Sequence, residues 1–282
     1  MLQDIGPHHL DNQYVHKSVA EDSKILHFCN RNVYIARAED DTLRLPTYKE
    51  LQTLKNDAID ENVLQYLFSI EEDTYFLLMD KDALPEEAGF HYETVRTLRQ
   101  MISKEVCFAV MTAYHLYVWY DASRFCGRCA TPVVHDTKER MLRCPQCGNM
   151  IFPKIAPAVI VAVLDNDRIL MTRYAGRAYK SYALIAGFTE IGETAEETVA
   201  REVMEEVGLK VKNIRYYKSQ PWGVDSNLLL GYFADLDGED KVSLDETELA
   251  EAEWFTREQM PAHDDGISLT REMMGIFEKG LV

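Results

Sequence analysis

The sequence predicts an α+β protein in three parts: an N-terminal α+β domain over residues 1–122, a four-cysteine ribbon over 123–150, and a C-terminal domain of strands and two helices over 151–282. Three features carry this expectation. Two C-x-x-C pairs interrupt the chain near its middle, a continuous apolar run at Ala158–Leu164 opens a strand-rich half, and an acidic segment with helix caps lies inside that half. With 282 residues the chain is long enough for two domains of ordinary size and a small metal module.

In the first part, strand-like runs at Asn32–Ala38 and Thr74–Met79 mix with helix-like ones at Tyr92–Lys104 and at the aromatic-rich Val106–Tyr120. No motif there carries chemistry, so a scaffold or dimerisation element is the simplest expectation.

In the ribbon, Cys126-Gly-Arg-Cys129 and Cys144-Pro-Gln-Cys147 are separated by fourteen residues. Each pair brings two sulfurs to one side of a tight loop, eased by Gly127 and Gly148, and four thiolates close a tetrahedral Zn²⁺ site with no open position for chemistry. One structural zinc per chain is expected, against the alternatives of two disulfides or free core thiols. Cys29 and Cys107, distant from each other and set among apolar neighbours, read as ordinary buried thiols. Arg124, Arg128, Lys138, Arg140, Arg143 and Lys154 surround the cysteines, opposed by Asp136 and Glu139. Such a run is either solvated surface or a small cationic patch for the charged part of a substrate.

In the third part, Ala158–Leu164 and Arg168–Tyr174 flank the turn signal Asp165-Asn166-Asp167 and predict a hairpin. Further strands are expected at Tyr182–Phe188, Val211–Lys218, Leu228–Asp235 and Ala252–Thr256, with a closing helix at Ser268–Lys279. Between them, Thr194 and Glu197 form a capping box and Gly208 supplies a helix stop. Within that helix Glu202, Glu205 and Glu206 share one sector, while Val199, Ala200, Val203 and Val207 occupy another that packs on a sheet. An E-x-x-E-E in an acidic protein is ordinarily a solvated face. Three uncompensated carboxylates so close together repel, however, and a hard divalent cation such as Mg²⁺ is the simplest reason to keep them there.

Gly187, Glu193, Arg201-Glu202, Glu205-Glu206 and Gly208 match every fixed position of the Nudix hydrolase signature, which this chain resembles. Arg201 is expected to pair with a neighbouring carboxylate and steady the acidic face. The order of modules resembles the bacterial NADH pyrophosphatase subfamily over essentially the whole chain. The resemblance implies an α/β/α sandwich for the C-terminal domain and a homodimer. It also implies metal-dependent hydrolysis of the pyrophosphate bond of NADH or NAD⁺ to NMN(H) and AMP. Two or more Mg²⁺ or Mn²⁺ ions would be held by Glu202, Glu205, Glu206, Glu248 and the Ala186 carbonyl, with Glu251 a near rival of Glu248. Glu205 is the leading candidate to orient or deprotonate the attacking water, and Glu202 and Glu206 share the catalytic centre.

The subfamily tag S-Q-P-W-P-F-P is half kept, as Ser219-Gln220-Pro221-Trp222 followed by Gly223-Val224-Asp225. Gln220 and Trp222 are therefore expected nucleotide contacts, and a strict preference for NADH is not implied. Phe188 resembles the aromatic that stacks on a substrate base. Phe152 stands where tyrosine is frequent, Asn227 where serine is expected with Ser226 beside it, and Thr270 where the subfamily has alanine. Ile160 and Glu139 complete the expected substrate contacts.

The formal charge of −17 argues against general polyanion binding, so RNA enters only as an NAD-capped substrate. Alternatives are a broader nucleoside-diphosphate-X hydrolase acting on ADP-ribose, FAD or dinucleotides, and a non-catalytic nucleotide-sensing regulator. No charged start precedes an apolar run and no stretch stays apolar for a membrane span, so the expected location is the cytoplasm, with no membrane partner.

Overall fold

The computed structural model describes residues 1–38, 41–55, 59–80, 82–87, 89–98, 101–176, 181–261 and 266–282. The chain divides into two compact units: Gln3–Lys154 with Gly223–Ser226, and Met1–Leu2 with Ile155–Trp222 and Asn227–Val282.

The second unit is built on a six-stranded mixed sheet, in the order Val211–Trp222, Asn227–Leu236, Ala156–Asp165, Arg168–Tyr174, Leu249–Thr256, with Ile185–Phe188 also paired to Ala156–Asp165. The central strand Ala156–Asp165 runs parallel to Asn227–Leu236 and is buried on both faces. Its residues divide by parity. Val159, Val161 and Val163 join Val199, Val203 and Val207 of the helix Ala195–Val207 in one core. Ile160, Ala162 and Leu164 join Leu269, Met273 and Phe277 of the helix Leu269–Glu278 in the other. Helix, sheet and helix are thus stacked in three layers, as expected. The predicted hairpin turns at Asn166, whose φ of 54° is the left-handed conformation such a turn requires.

The helix Ala195–Val207 forms where its local signals place it. Thr194 Oγ1 accepts from the Glu197 N–H (3.2 Å) while Glu197 Oε2 accepts from the Thr194 N–H (2.8 Å). Gly208 ends the helix at φ 69°, donating its N–H to the Met204 carbonyl.

The first unit holds two small sheets, a long helix Lys104–Ala122 and the cysteine ribbon, whose three short strands run in the order Met150–Ile151, Leu142–Arg143, Val134–His135. The helix expected over Tyr92–Lys104 does not form as such. Phe90–Thr94 is a strand, with Phe90 opposite Ala36 and Tyr92 opposite Tyr34, and only Val95–Leu98 turns helical before residues 99–100, which lie outside the described residues. Alternating aromatics pack better on a pleated surface than on a helix here. The long helix then starts afresh, with Ser103 Oγ accepting from the Val106 N–H.

Replacing Thr194 with Ala removes one half of the capping box. A loss of about 1 kcal/mol in the unfolding free energy of the Nudix-like unit is expected, read from urea denaturation.

Candidate active site and zinc ribbon

The signature helix meets the sheet at an angle that sorts its three glutamates by burial. At 100° per residue Glu206 lies beside the valine stripe, Glu202 one step further out and Glu205 beyond it. The exposures follow that order: Glu206 is 2% exposed and Glu202 9%, whereas the Glu205 side chain is 59% exposed. The expected division into a binding face and a packing face is therefore corrected, because Glu202 and Glu206 belong to the edge of the packed face. Burial raises the Glu202 pKa, Arg201 opposes that rise, and the charges of Glu205 and Glu248 add to it.

Arg201 gathers Glu193, Glu202 and Glu205. Its Nε and Nη2 bond both oxygens of Glu193 (2.6 and 2.9 Å), Nη1 bonds Glu202 Oε1 (2.7 Å) and Glu205 Oε2 (2.9 Å), and Nη2 also bonds the Phe188 carbonyl (2.8 Å). A guanidinium has five N–H donors, and five bonds are made. Glu193 also accepts from the Glu190 N–H and the Thr198 hydroxyl, and Arg201 before all else holds its pKa down to about 2.

Gly187 lies in the strand Ile185–Phe188, opposite Val159, with Ala186 opposite Ile160. A Cβ at position 187 would coincide with the Glu202 carboxyl group, so any side chain there would push that carboxyl out of its present seat against the strand. Two buried carboxylates beside two more exposed ones suit a hard divalent cation, whose charge offsets the desolvation. In their present arrangement Arg201 draws Glu202 and Glu205 to itself. Among the described residues, only the four cysteines gather three or more candidate ligand atoms within 4.8 Å of one another.

Glu248 is exposed and ends a turn just before the strand Leu249–Thr256. Its rival Glu251 is paired with Arg173 at 2.8 Å. Among the expected substrate contacts, Phe188 is 55% exposed and Phe152 54%, whereas Ile160 is buried in the sheet. Gln220 is fully buried: its Nε2 donates to the Ile267 carbonyl (2.7 Å) and its Oε1 accepts from the Leu269 N–H (2.8 Å). Its amide thus latches the start of the helix Leu269–Glu278, whose first turn carries Thr270. Trp222 and Asn227 face each other across the ladder and are half-buried, and Ser226 is left-handed at φ 58°. Glu139 is exposed in a turn whose N–H groups bond Asp136.

In the ribbon, Cys126–Cys147, Cys129–Cys144 and Cys129–Cys147 sulfurs lie 3.6, 3.5 and 3.6 Å apart. Sulfurs about 2.3 Å from a central ion at tetrahedral corners are roughly 3.8 Å from each other. The spacing therefore fits a zinc centre, and all six cysteines are free of disulfides. Cys107 is buried and Cys29 half-buried. The basic residues around the ribbon are not one open patch. Arg140 points inward to the Leu67 carbonyl (2.7 Å) and Asn12 Oδ1 (3.0 Å), Arg143 pairs with Asp136, and Arg124 with Asp121. Arg128, Lys138 and Lys154 stay exposed.

Sequence reasoning assigned Arg201 a single partner and Glu193 none. The eight-residue step from Glu193 to Arg201, which crosses a helix start, was the available signal. Lysine at 201 keeps the charge but offers three donors for five acceptors. Arg201→Lys is expected to lower the thermal midpoint and to cut kcat/KM on a pyrophosphate substrate about 10- to 100-fold. Cys144→Ser is expected to release the zinc, which metal analysis of the purified chain would read as a fall in stoichiometry from about one to near zero.

Residues 154–274 match the NUDIX domain, and residues 121–152 match the NADH pyrophosphatase zinc ribbon domain. The NAD-capped RNA hydrolase NudC of Salmonella typhi is 37% identical over 167 residues, covering 58% of this chain and 65% of that protein. The protein of the same name from Enterobacter sp. (strain 638) is 42% identical over 143 residues, covering 51% of this chain and 55% of that protein. The chain thus spans less than two thirds of the length of these curated relatives. A NUDIX hydrolase from Nitrosomonas europaea superposes with a TM-score of 0.48 at 23% identity, over 55% of this chain and 91% of that one. The chain therefore carries a Nudix domain at residues 154–274 behind an NADH pyrophosphatase zinc ribbon domain at residues 121–152.

Proposed function

We propose that this chain is a divalent-metal-dependent hydrolase of the pyrophosphate bond of NAD(H), giving NMN(H) and AMP, and that NAD-capped RNA is a larger substrate with the same bond. The observation that carries the reading is the seat of the Glu202 carboxyl against Gly187, with Glu206 also buried and with the charges of Glu205 and Glu248 helping to raise the Glu202 pKa. The likeness to the NAD-capped RNA hydrolases and the match to an NADH pyrophosphatase zinc ribbon domain support it.

In this reading Glu202, Glu205, Glu206, Glu248 and the Ala186 carbonyl hold the cations. Bound there, Mg²⁺ or Mn²⁺ would offset the diphosphate charge and make a water more acidic. Glu205, the most exposed carboxylate of the helix trio, orients the attacking water and takes its proton, while Arg201 limits where that carboxylate swings. The water oxygen bonds to one phosphorus as the bridging P–O bond breaks, and the two products each leave with a phosphate.

Phe188 presents an exposed ring for stacking on a base. Trp222, Thr270, Asn227, Ser226, Phe152 and Glu139 complete the proposed substrate contacts, Ile160 supports them from the core beneath, and Gln220 acts by latching the helix that carries Thr270. We further propose that the domains divide near residues 122 and 150, that the protein is a homodimer, and that it works in the cytoplasm. Unpaired cysteines in a zinc-type cluster suit a reducing compartment. Among the described residues no helix is long and apolar enough to cross a membrane.

A broader nucleoside-diphosphate-X specificity is the second reading, favoured by Gly223-Val224-Asp225 in place of P-F-P. The retention of every signature glutamate weighs against a non-catalytic sensor.

Incubation of the full chain with Mg²⁺ or Mn²⁺ and NADH, NAD⁺, ADP-ribose, FAD or NAD-capped RNA tests these readings, with products identified by mass spectrometry. NMN(H) and AMP as the fastest products support the proposal, and no turnover on any of them defeats it. Glu206→Gln is expected to lower turnover more than about 100-fold with zinc content unchanged.

A further inference from the structure

Glu248 lies at the end of a loop, its charge helps to raise the Glu202 pKa, and that loop is pinned at short intervals. Residues 237–248 form no helix or long strand, but the Asp237 N–H bonds the Lys210 carbonyl (2.8 Å). Asp240 takes Arg168 at 2.8 Å, and its carbonyl accepts from Trp254 Nε1 at 3.2 Å. The chain then crosses the end of the signature helix. There the Ser243 N–H bonds the Val207 carbonyl (2.9 Å) and the Asp245 N–H bonds the Glu206 carbonyl (3.0 Å). Last-turn carbonyls of a helix have no partner within it, so these bonds satisfy groups that would otherwise need water. Gly208 allows the approach, since a Cβ there would stand 3.0 Å from Ser243 Cβ.

Asp245 then folds the chain back on itself. Its Oδ1 accepts from both the Thr247 N–H (2.8 Å) and the Thr247 hydroxyl (2.6 Å), while its carbonyl accepts from the N–H groups of Glu248 (3.1 Å) and Leu249 (2.9 Å). On the far side, the Glu248 carbonyl accepts from the Ala175 N–H at 2.8 Å. Both backbone polar groups of Glu248 are thus fixed, and its neighbour Asp245 is hydrogen-bonded to the backbone of Glu206 itself.

We propose that Asp245, aided by Thr247, is a positioning residue that sets Glu248 against Glu206, so that a divalent cation meets the two carboxylates already in place. The proposal rests on the reading of Glu248 and Glu206 as metal ligands. Asp245 touches neither cation nor substrate. Its main chain ties the turn to the helix backbone that carries Glu206, and its carboxylate, by holding the Thr247 N–H and hydroxyl, fixes the conformation of the turn that leads into Glu248, which lowers the ordering cost of binding.

Titration of Mn²⁺ into the zinc-loaded full chain, followed by calorimetry well below the melting midpoint of each variant, tests this. Asp245→Ala is expected to weaken Mn²⁺ binding about 10-fold. Asp245→Asn, which keeps the Oδ1 acceptor, should restore most of it, and Thr247→Val should give a smaller loss in a chain whose main-chain turn is intact. A role confined to stability would lower the melting midpoint of Asp245→Ala without changing its Mn²⁺ affinity, and that result would overturn the proposal. If Glu248→Gln binds Mn²⁺ weakly while Asp245→Ala binds it normally, the positioning role fails and the ligand reading stands. Unchanged affinity in Glu248→Gln removes both.

Discussion

The arrangement of the acidic site depends on one guanidinium with no donor to spare. Arg201 bonds Glu202 and Glu205 of its own helix and pulls a third carboxylate, Glu193, across from the loop before it, while a remaining N–H holds the Phe188 carbonyl at the end of the strand. Like-charged side chains at this spacing would drive the helix off the sheet or change protonation state. A planar cation that bonds strand end, loop and helix at once removes that conflict and fixes the angle between them. The glycine at 187 is the steric counterpart, because it lets the strand come close enough for the Glu202 carboxyl to occupy the place of a side chain. Charge and shape therefore specify the same geometry independently.

Much of this was legible in the chain itself. The capping box, the glycine stop and the valine period gave the signature helix its ends and its packed face, because those signals are local and act through the backbone. The strand Ala156–Asp165 was clear as a continuous apolar run, which is what burial on both faces produces. The four cysteines announced their cluster by spacing alone. What escaped was set by tertiary contact. Tyr92 reads as helical in isolation, and only its pairing opposite Tyr34 makes it a strand residue. Gln220 reads as a ligand contact, and only the fold reveals that its amide bridges Ile267 and Leu269. The burial order of Glu206, Glu202 and Glu205 follows from helical geometry, but it needed the valine stripe to be recognised as the reference direction.

The ribbon shows how far a charge count can mislead. Six basic residues cluster in sequence around the cysteines, yet Arg140 turns in to a backbone carbonyl and two others pair with aspartates. A guanidinium used as an internal strut contributes little to an outward field. The overall acidity of the chain is thus only weakly relieved at the ribbon.

The parity of the strand Ala156–Asp165 carries an evolutionary consequence. Odd-numbered residues fill one core and even-numbered residues the other, so adding or deleting a single residue there would exchange the contents of both layers at once. It would also shift Gly187 out of register with Val159, its partner across the ladder. Lineages of this protein can therefore vary in length at the ends of the sheet far more readily than along its midline, and substitutions that persist in that strand should conserve bulk on each side separately.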